Sequence, residues 1–131
     1  MNFLKIKETC LYVSDLESAK AFYHGVLELP IINYTEDKHL FLRAGNSVLL
    51  LFNPEDSKKK KSPPPHFGTG KQHFAFEVPF SDYEKAKQEI KSKGIKITDE
   101  VVWTSGKESF YFEDPEGNVL EIIPDEGMWT N

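Results

Sequence analysis

The chain predicts an α+β fold made of two βαβββ modules, and three observations carry that expectation. The order strand, helix, strand, strand, strand is spelled twice, over about 5–53 and about 71–124. The helix starts Ser14-Asp15-Leu16-Glu17-Ser18-Ala19-Lys20 and Ser81-Asp82-Tyr83-Glu84-Lys85-Ala86-Lys87 agree at five of seven positions. Between the modules, residues 54–70 lose hydrophobic periodicity and gather Pro, Lys and Gly, the composition of a long connection. A repeat of this length implies two like modules related by a pseudo-twofold axis rather than a solenoid. Their strands are then expected to form an open, curled mixed sheet around a cleft, with residues 125–131 as a tail.

In the first module, Thr9 to Val13 reads as a strand and Ser14-Asp15-Leu16-Glu17 has the form of a capping box, so a helix is expected to begin at Ser14. Leu16, Ala19, Phe22, Tyr23, Val26 and Leu27 recur at spacings of three and four, the apolar stripe of one helix that Pro30 would stop. Ile31 to Tyr34, His39 to Arg43 and Ser47 to Phe52 follow as three short strands. In the second module, Phe74 to Val78 is a strand and Ser81 to Glu84 a second capping box. Tyr83, Ala86 and Ile90 mark the buried stripe, and Gly94 is the expected C-terminal cap. Strands are then expected at Ile95 to Ile97, which Val101 to Trp103 could extend, at Phe110 to Glu113 and at Val119 to Ile123.

The last two strands flank Asp114-Pro115-Glu116-Gly117-Asn118, where Pro and Gly supply turn geometry, so Ser109 to Pro124 reads as a β-hairpin. Glu121 interrupts the apolar run Val119-Leu120-Glu121-Ile122-Ile123. A carboxylate among such neighbours needs water, a partner or a metal, because burying it alone is costly. Superposing the modules on Val13/Val78 and Leu49/Leu120 sets Glu8 opposite His73 and Leu50 opposite Glu121. Period-two alternation then puts His73, Ala75 and Glu77 on the cleft face, as it does Glu8, Cys10 and Tyr12, while Phe74, Phe76 and Val78 point beneath the helix.

Glu8, His73 and Glu121 are therefore the candidate ligands of a divalent metal ion. One imidazole and two carboxylates on separate strands would leave positions open for water and substrate, as catalysis requires, whereas structural zinc is more often closed by four ligands. This donor set suits iron, manganese, nickel, cobalt or zinc better than magnesium. The same face offers Cys10, Tyr12, Leu50, Phe52, Glu77, Ser109, Tyr111 and Trp129 as candidate lining of the substrate cleft. Cys10 is expected as a small apolar filler, since no base near it in sequence would activate it. His66 and Phe67 lie in the connection and are expected to be exposed. Met128 and Trp129 would fold over a cleft or into a subunit interface.

With 131 residues the chain has room for one domain. No apolar run nears the roughly 20 residues of a membrane span, and the N-terminus lacks the pattern of a signal peptide, so a cytoplasmic protein with no membrane partner is expected. Cys10 is the sole cysteine, so no internal disulfide can form. A net charge of −5 argues against nucleic acid as a partner, and the basic run Lys58 to Lys61 reads as a solvated loop.

The segments LYVSDLESAKAFYHGVLEL at 11–29, HFAFEV at 73–78 and SFYFEDPEGNVLEI at 109–122 resemble the vicinal oxygen chelate superfamily. That superfamily includes glyoxalase I, fosfomycin-resistance thiol transferases, methylmalonyl-CoA epimerase, extradiol dioxygenases and metal-free bleomycin-binding proteins. The resemblance implies the paired βαβββ fold and places the family's metal ligands at Glu8, His73 and Glu121. It departs from glyoxalase I, which has a fourth ligand where this chain has Leu50, and from three-ligand members with histidine in place of Glu8. Residues 105–111 look like the phosphonate-binding segment of the fosfomycin enzymes, but Val101 falls near their lysine and residues 125–131 hold no arginine.

Two functions follow as expectations. One is a divalent-metal enzyme of the lyase, isomerase or dioxygenase type, acting on a small substrate with vicinal oxygens, with Glu8 and Glu121 as catalytic carboxylates. The other is a metal-free ligand-binding protein of the bleomycin-resistance kind, walled by Tyr12, Phe52, Tyr111 and Trp129. A homodimer is expected in either case.

Overall fold

A computed structural model describes all residues except Gly127, Thr130 and Asn131. The chain forms two compact units, residues 1–70 and 71–131, and each repeats one plan. In the first, β1 (Glu8–Tyr12), β2 (Ile31–Thr35), β3 (His39–Ala44) and β4 (Ser47–Phe52) make a four-stranded sheet in the order β1-β4-β3-β2. In the second, β5 (His73–Val78), β6 (Asp99–Val102), β7 (Glu108–Glu113) and β8 (Val119–Pro124) make another in the order β5-β8-β7-β6. Each sheet is mixed, with the first strand of its unit parallel to the last and the remaining pairs antiparallel. The predicted α+β class and the predicted duplication are both present.

Alternation along the strands divides each sheet into two faces. In the first unit Leu11, Val13, Leu40, Leu42, Leu49 and Leu51 are at most 2% exposed and form the core beneath the helix, to which Leu16, Ala19 and Tyr23 add their buried side chains. In the second, Phe110, Phe112 and Leu120 are fully buried, and Tyr83 of helix α3 (Tyr83–Ser92) packs on Phe110 with ring centroids 5.6 Å apart. Lys87 of α3 is buried too, and its charge is carried by Glu100 at 2.8 Å.

The helices depart from the sequence expectation at their starts. Helix α1 (Leu16–Lys20) is capped by Asp15, not Ser14: the Asp15 carboxylate accepts from the Ser18 amide at 3.1 Å, which holds its pKa below the ordinary value. The stripe that read as one α-helix continues from Ala21 to Val26 as a π-helix, with Leu27 N–H bonded to Phe22 C=O at 2.9 Å. In the second unit Phe80–Asp82 is a 3₁₀ turn and no side chain caps α3. Its other end follows expectation, since Gly94 adopts φ 79° and Ile95 N–H reaches Ile90 C=O at 3.2 Å, closing the helix.

Of the strand expected at Ile95 to Ile97 with an extension over Val101 to Trp103, only the extension overlaps the observed β6, Asp99–Val102, which pairs with β7. Residues 95–97 are apolar at alternate positions but serve as the return from the helix. The connection 54–70 also contains order that its composition concealed. Asn53 caps a short helix α2 (Pro54–Ser57), accepting from Glu55 N–H at 3.0 Å and donating to Asp37 C=O at 2.9 Å. Among the described residues no helix is long and apolar enough to cross a membrane.

Candidate functional site

The sheet registers carry the equivalence that the repeat implied. Glu8 lies opposite Val48 and Cys10 opposite Leu50 in the first sheet, as His73 lies opposite Val119 and Ala75 opposite Glu121 in the second. Glu8 and His73 thus hold one position of the repeat, and Leu50 and Glu121 another.

The helix-free face of the second sheet brings His73 and Glu121 together. His73 Nε2 is 3.2 Å from Glu121 Oε1, and His73 Nδ1 is 2.8 Å from the carbonyl oxygen of Val119. A carbonyl only accepts, so Nδ1 carries a hydrogen and the ring is held in one orientation. The contact between Nε2 and a carboxylate oxygen then needs a proton or a cation, since otherwise a nitrogen lone pair would face an anion. The Glu121 side chain is 7% exposed and that of His73 49%, so the carboxylate is withdrawn from water while the imidazole keeps an open side.

This pair fits a divalent ion in donor chemistry and spacing. Ligand atoms about 2.0–2.2 Å from a metal and roughly at right angles to each other stand about 3 Å apart. A ligand histidine characteristically gives its second N–H to a carbonyl or carboxylate, the part Val119 plays for His73. Among the described residues no three His, Cys, Asp or Glu side chains cluster as a metal group. Glu8 is an exposed residue of β1 in the first unit.

Tyr111 adjoins the pair. It lies opposite Glu121 in the β7–β8 ladder, and its ring centroid is 6.0 Å from that of His73. Burial raises the pKa of its phenol, a hydrogen bond to Glu121 adds to the rise, and one from Ser109 opposes it. Ser109 is fully buried and accepts from Trp103 Nε1 at 3.1 Å. Glu77 is exposed on the same face of β5 as His73, and Trp129 is 84% exposed.

The corresponding face of the first sheet is aromatic. Tyr12 and Phe52 stand with ring centroids 6.4 Å apart, Phe41 meets Phe52 edge-on at 5.5 Å, and His39 stacks on Phe41 at 4.2 Å. Cys10 is half-buried beside Tyr12, its thiol 3.7 Å from the phenol oxygen, and burial followed by that bond pushes the Tyr12 pKa up to about 12. Leu50, next to Cys10 in the register, is half-buried as well. Phe67 and His66 are both exposed, as expected, and His66 is engaged as well: its Nδ1 is 2.7 Å from the Tyr12 hydroxyl and its ring packs edge-on against Phe52 at 4.6 Å.

His39 and His66 were not among the residues singled out as site candidates. Alternation in β3 places His39 on the same face as Phe41, so that one was available to pattern reading. The position of His66, in a segment without period, carried no such signal.

A model of the Glyoxalase/Bleomycin resistance protein/Dioxygenase superfamily matches residues 5–122. The chain is 30% identical over 115 residues to a glutathione transferase FosA of Serratia marcescens, covering 86% of this chain and 74% of that protein. Among solved structures it resembles a lactoylglutathione lyase from Agrobacterium tumefaciens, with a TM-score of 0.90, 29% identity and coverage of 95% and 96% of the two chains. A glyoxalase/bleomycin resistance protein/dioxygenase from Nocardioides shares the fold at 17% identity, with a TM-score of 0.77 over 100% of this chain and 91% of its own.

Proposed function

The chain belongs to the Glyoxalase/Bleomycin resistance protein/Dioxygenase superfamily, and from that premise we propose that it is a divalent-metal-dependent enzyme acting on a small substrate with vicinal oxygens. The reaction would be of the lyase, isomerase or dioxygenase type. One observation carries the reading: His73 Nε2 faces Glu121 Oε1 at 3.2 Å while Nδ1 is tied to the Val119 carbonyl. In this reading His73 and Glu121 hold the ion, and Glu8, the repeat-equivalent of His73, is the third ligand. When bound, iron, manganese, nickel, cobalt or zinc supplies Lewis-acid stabilisation of negative charge on a substrate oxygen.

The protein's own groups have separate parts. Val119 fixes the imidazole so that Nε2 is presented unprotonated to the ion. Glu121 contributes charge from a site withdrawn from water, where electrostatic stabilisation is strongest. Glu8, exposed on its strand, is the ligand that would loosen from the ion to transfer the substrate proton. The names of the Serratia and Agrobacterium relatives both carry glutathione, so glutathione-linked small molecules are the first substrates to assay. Phosphonates rank lower, because Val101 stands near the position where the family resemblance would require a lysine.

Metal analysis of protein purified without chelator tests this. Stoichiometric metal in the parent, lost in His73→Ala and in Glu121→Ala, is expected, and sub-stoichiometric metal under every loading condition overturns the reading. The rings of Tyr12, Phe52 and Phe41 favour one alternative, a metal-free binding protein of the bleomycin-resistance kind. Thermal-shift screening separates the two, since transition metals would stabilise the enzyme and bulky aromatic cations alone the binding protein. A cytoplasmic homodimer completes the proposal, and light scattering measures its oligomeric part.

A further inference from the structure

The first sheet carries an occupied seat for which the metal chemistry has no use. Residues 61–70 form neither helix nor strand, and His66 makes the hydrogen bond and ring contacts that hold them to the aromatic face of that sheet. Its Nδ1 is 2.7 Å from the Tyr12 hydroxyl, and its ring centroid is 4.6 Å from that of Phe52, edge-on, and 5.7 Å from that of Tyr12. The Cys10 thiol, 3.7 Å away, donates to the Tyr12 oxygen, which leaves the phenol hydrogen for His66 and makes Nδ1 its acceptor.

The floor of this seat suits a flat ring. Phe41 and Phe52 meet edge-on at 5.5 Å, and a second imidazole, that of His39, already stacks on Phe41 at 4.2 Å with 12° between the planes. His39 Nε2 is engaged with Asn33 Oδ1 at 2.7 Å, so His39 gives the floor ring surface and Tyr12 supplies the polar edge. Phe41 and Phe52 are half-buried in paired strands, whereas His66 and its neighbour Phe67 are exposed. The floor is therefore fixed and its cover is not, since an exposed segment with few buried contacts opens at small free-energy cost.

We propose that this face is a binding seat for a small planar heteroaromatic molecule with a hydrogen-bond-accepting nitrogen, and that His66 is the chain's own stand-in for it. The posture of His66 defines the ligand: a flat ring against Phe52 whose lone pair accepts from Tyr12. An entering molecule takes over both contacts and releases residues 61–70, so its apparent affinity is reduced by the fraction of time that His66 fills the seat. All these groups belong to the first unit, and the proposal stands with or without a metal at His73 and Glu121.

Benzimidazole and indole are the probes, titrated into metal-free protein and followed through the amides of β1 and β4 in ¹H–¹⁵N correlation spectra. The two share a shape, but only benzimidazole has an acceptor nitrogen. His66→Ala, at an exposed position outside helix and strand, is expected to keep the parent's spectrum away from the seat and to bind benzimidazole about fivefold more tightly than the parent. In that variant indole should bind about fivefold more weakly than benzimidazole, and adding Tyr12→Phe should erase the difference. Saturating benzimidazole should also speed trypsin cleavage of the parent at Lys58 to Lys61. Equal benzimidazole affinity in parent and His66→Ala, or binding to neither, overturns the proposal. Indole binding as tightly as benzimidazole, or cleavage unchanged at saturation, overturns it too.

Discussion

Asn118 and Gln72 are joined across 46 residues of sequence: the Gln72 amide donates to Asn118 Oδ1 at 3.0 Å. The bond belongs to a buried network in which Asp114 Oδ1 accepts the amides of Glu116 and Asn118 at 2.9 and 2.8 Å and Asp114 Oδ2 accepts Asn118 Nδ2 at 3.0 Å. Val119 N–H returns a bond to Gln72 C=O at 2.7 Å, which sets the first residue of β5 beside the first of β8. His73 is thereby placed against Val119, two residues from Glu121. Asn118→Ala removes the bridge and leaves buried groups unpaired, so the free energy of unfolding in urea should fall by about 2–4 kcal/mol.

Glu121→Gln separates charge from shape. The amide keeps the carboxylate's outline but removes a negative charge from a site 7% exposed. In metal-free protein the change in unfolding free energy should stay within about 1 kcal/mol of zero and can be stabilising. The rise in Tm that Mn²⁺ or Zn²⁺ gives the parent should vanish. Differential scanning fluorimetry with and without metal checks both halves.

Acid sensitivity should trace in part to His39. Burial, reinforced by Lys60 and Lys38 and opposed by Asp56, lowers its pKa, and Nε2 donates to Asn33 Oδ1 at 2.7 Å. Because the folded value lies below the unfolded value near 6.5, the unfolded chain binds the proton more readily. The contribution is therefore complete above pH of about 6.5 and is lost as the pH falls through the folded pKa. His39→Gln should flatten that part of the profile, measured as parent-minus-variant urea midpoints between pH 7.5 and 5.

The bond between Tyr12 and His66 ties residues 58–70 to β1. Tyr12→Phe or His66→Ala removes a contact worth about 1 kcal/mol, so trypsin should cut at Lys58 to Lys61 about fivefold faster with little change in global stability. Cleavage at the parental rate in both variants would show that the segment is held elsewhere.

The sheet registers were legible because apolar alternation and the Val-Leu pairs at 48–49 and 119–120 mark the same faces in both units. Glu121 was legible for the opposite reason, as the residue that broke its strand's pattern, and the face shared by His73 followed from alternation. Ser14 misled because Asp15 beside it can cap the same turn, and a carboxylate is favoured at the positive end of a helix. The start of β6 at Asp99 hid behind Ile95 and Ile97, and only Val101 and Val102 were legible, because β6 is an edge strand whose Asp99 and Glu100 are exposed. His66 was lost because its engagement with Tyr12 depends on the path of a connection with no period to read.

The strand that each unit adds last is inserted between two that come earlier, β4 between β1 and β3 and β8 between β5 and β7. A growing chain can therefore zip β2-β3-β4 and β6-β7-β8 as successive hairpins but cannot attach β1 or β5 that way. During synthesis β5 must wait with an unpaired edge until residue 124 has emerged, because its parallel partner begins 46 residues downstream of it. A ribosome stalled before residue 119 would release a fragment whose second sheet lacks its inner rung, a product destined for chaperones and proteases rather than partial function.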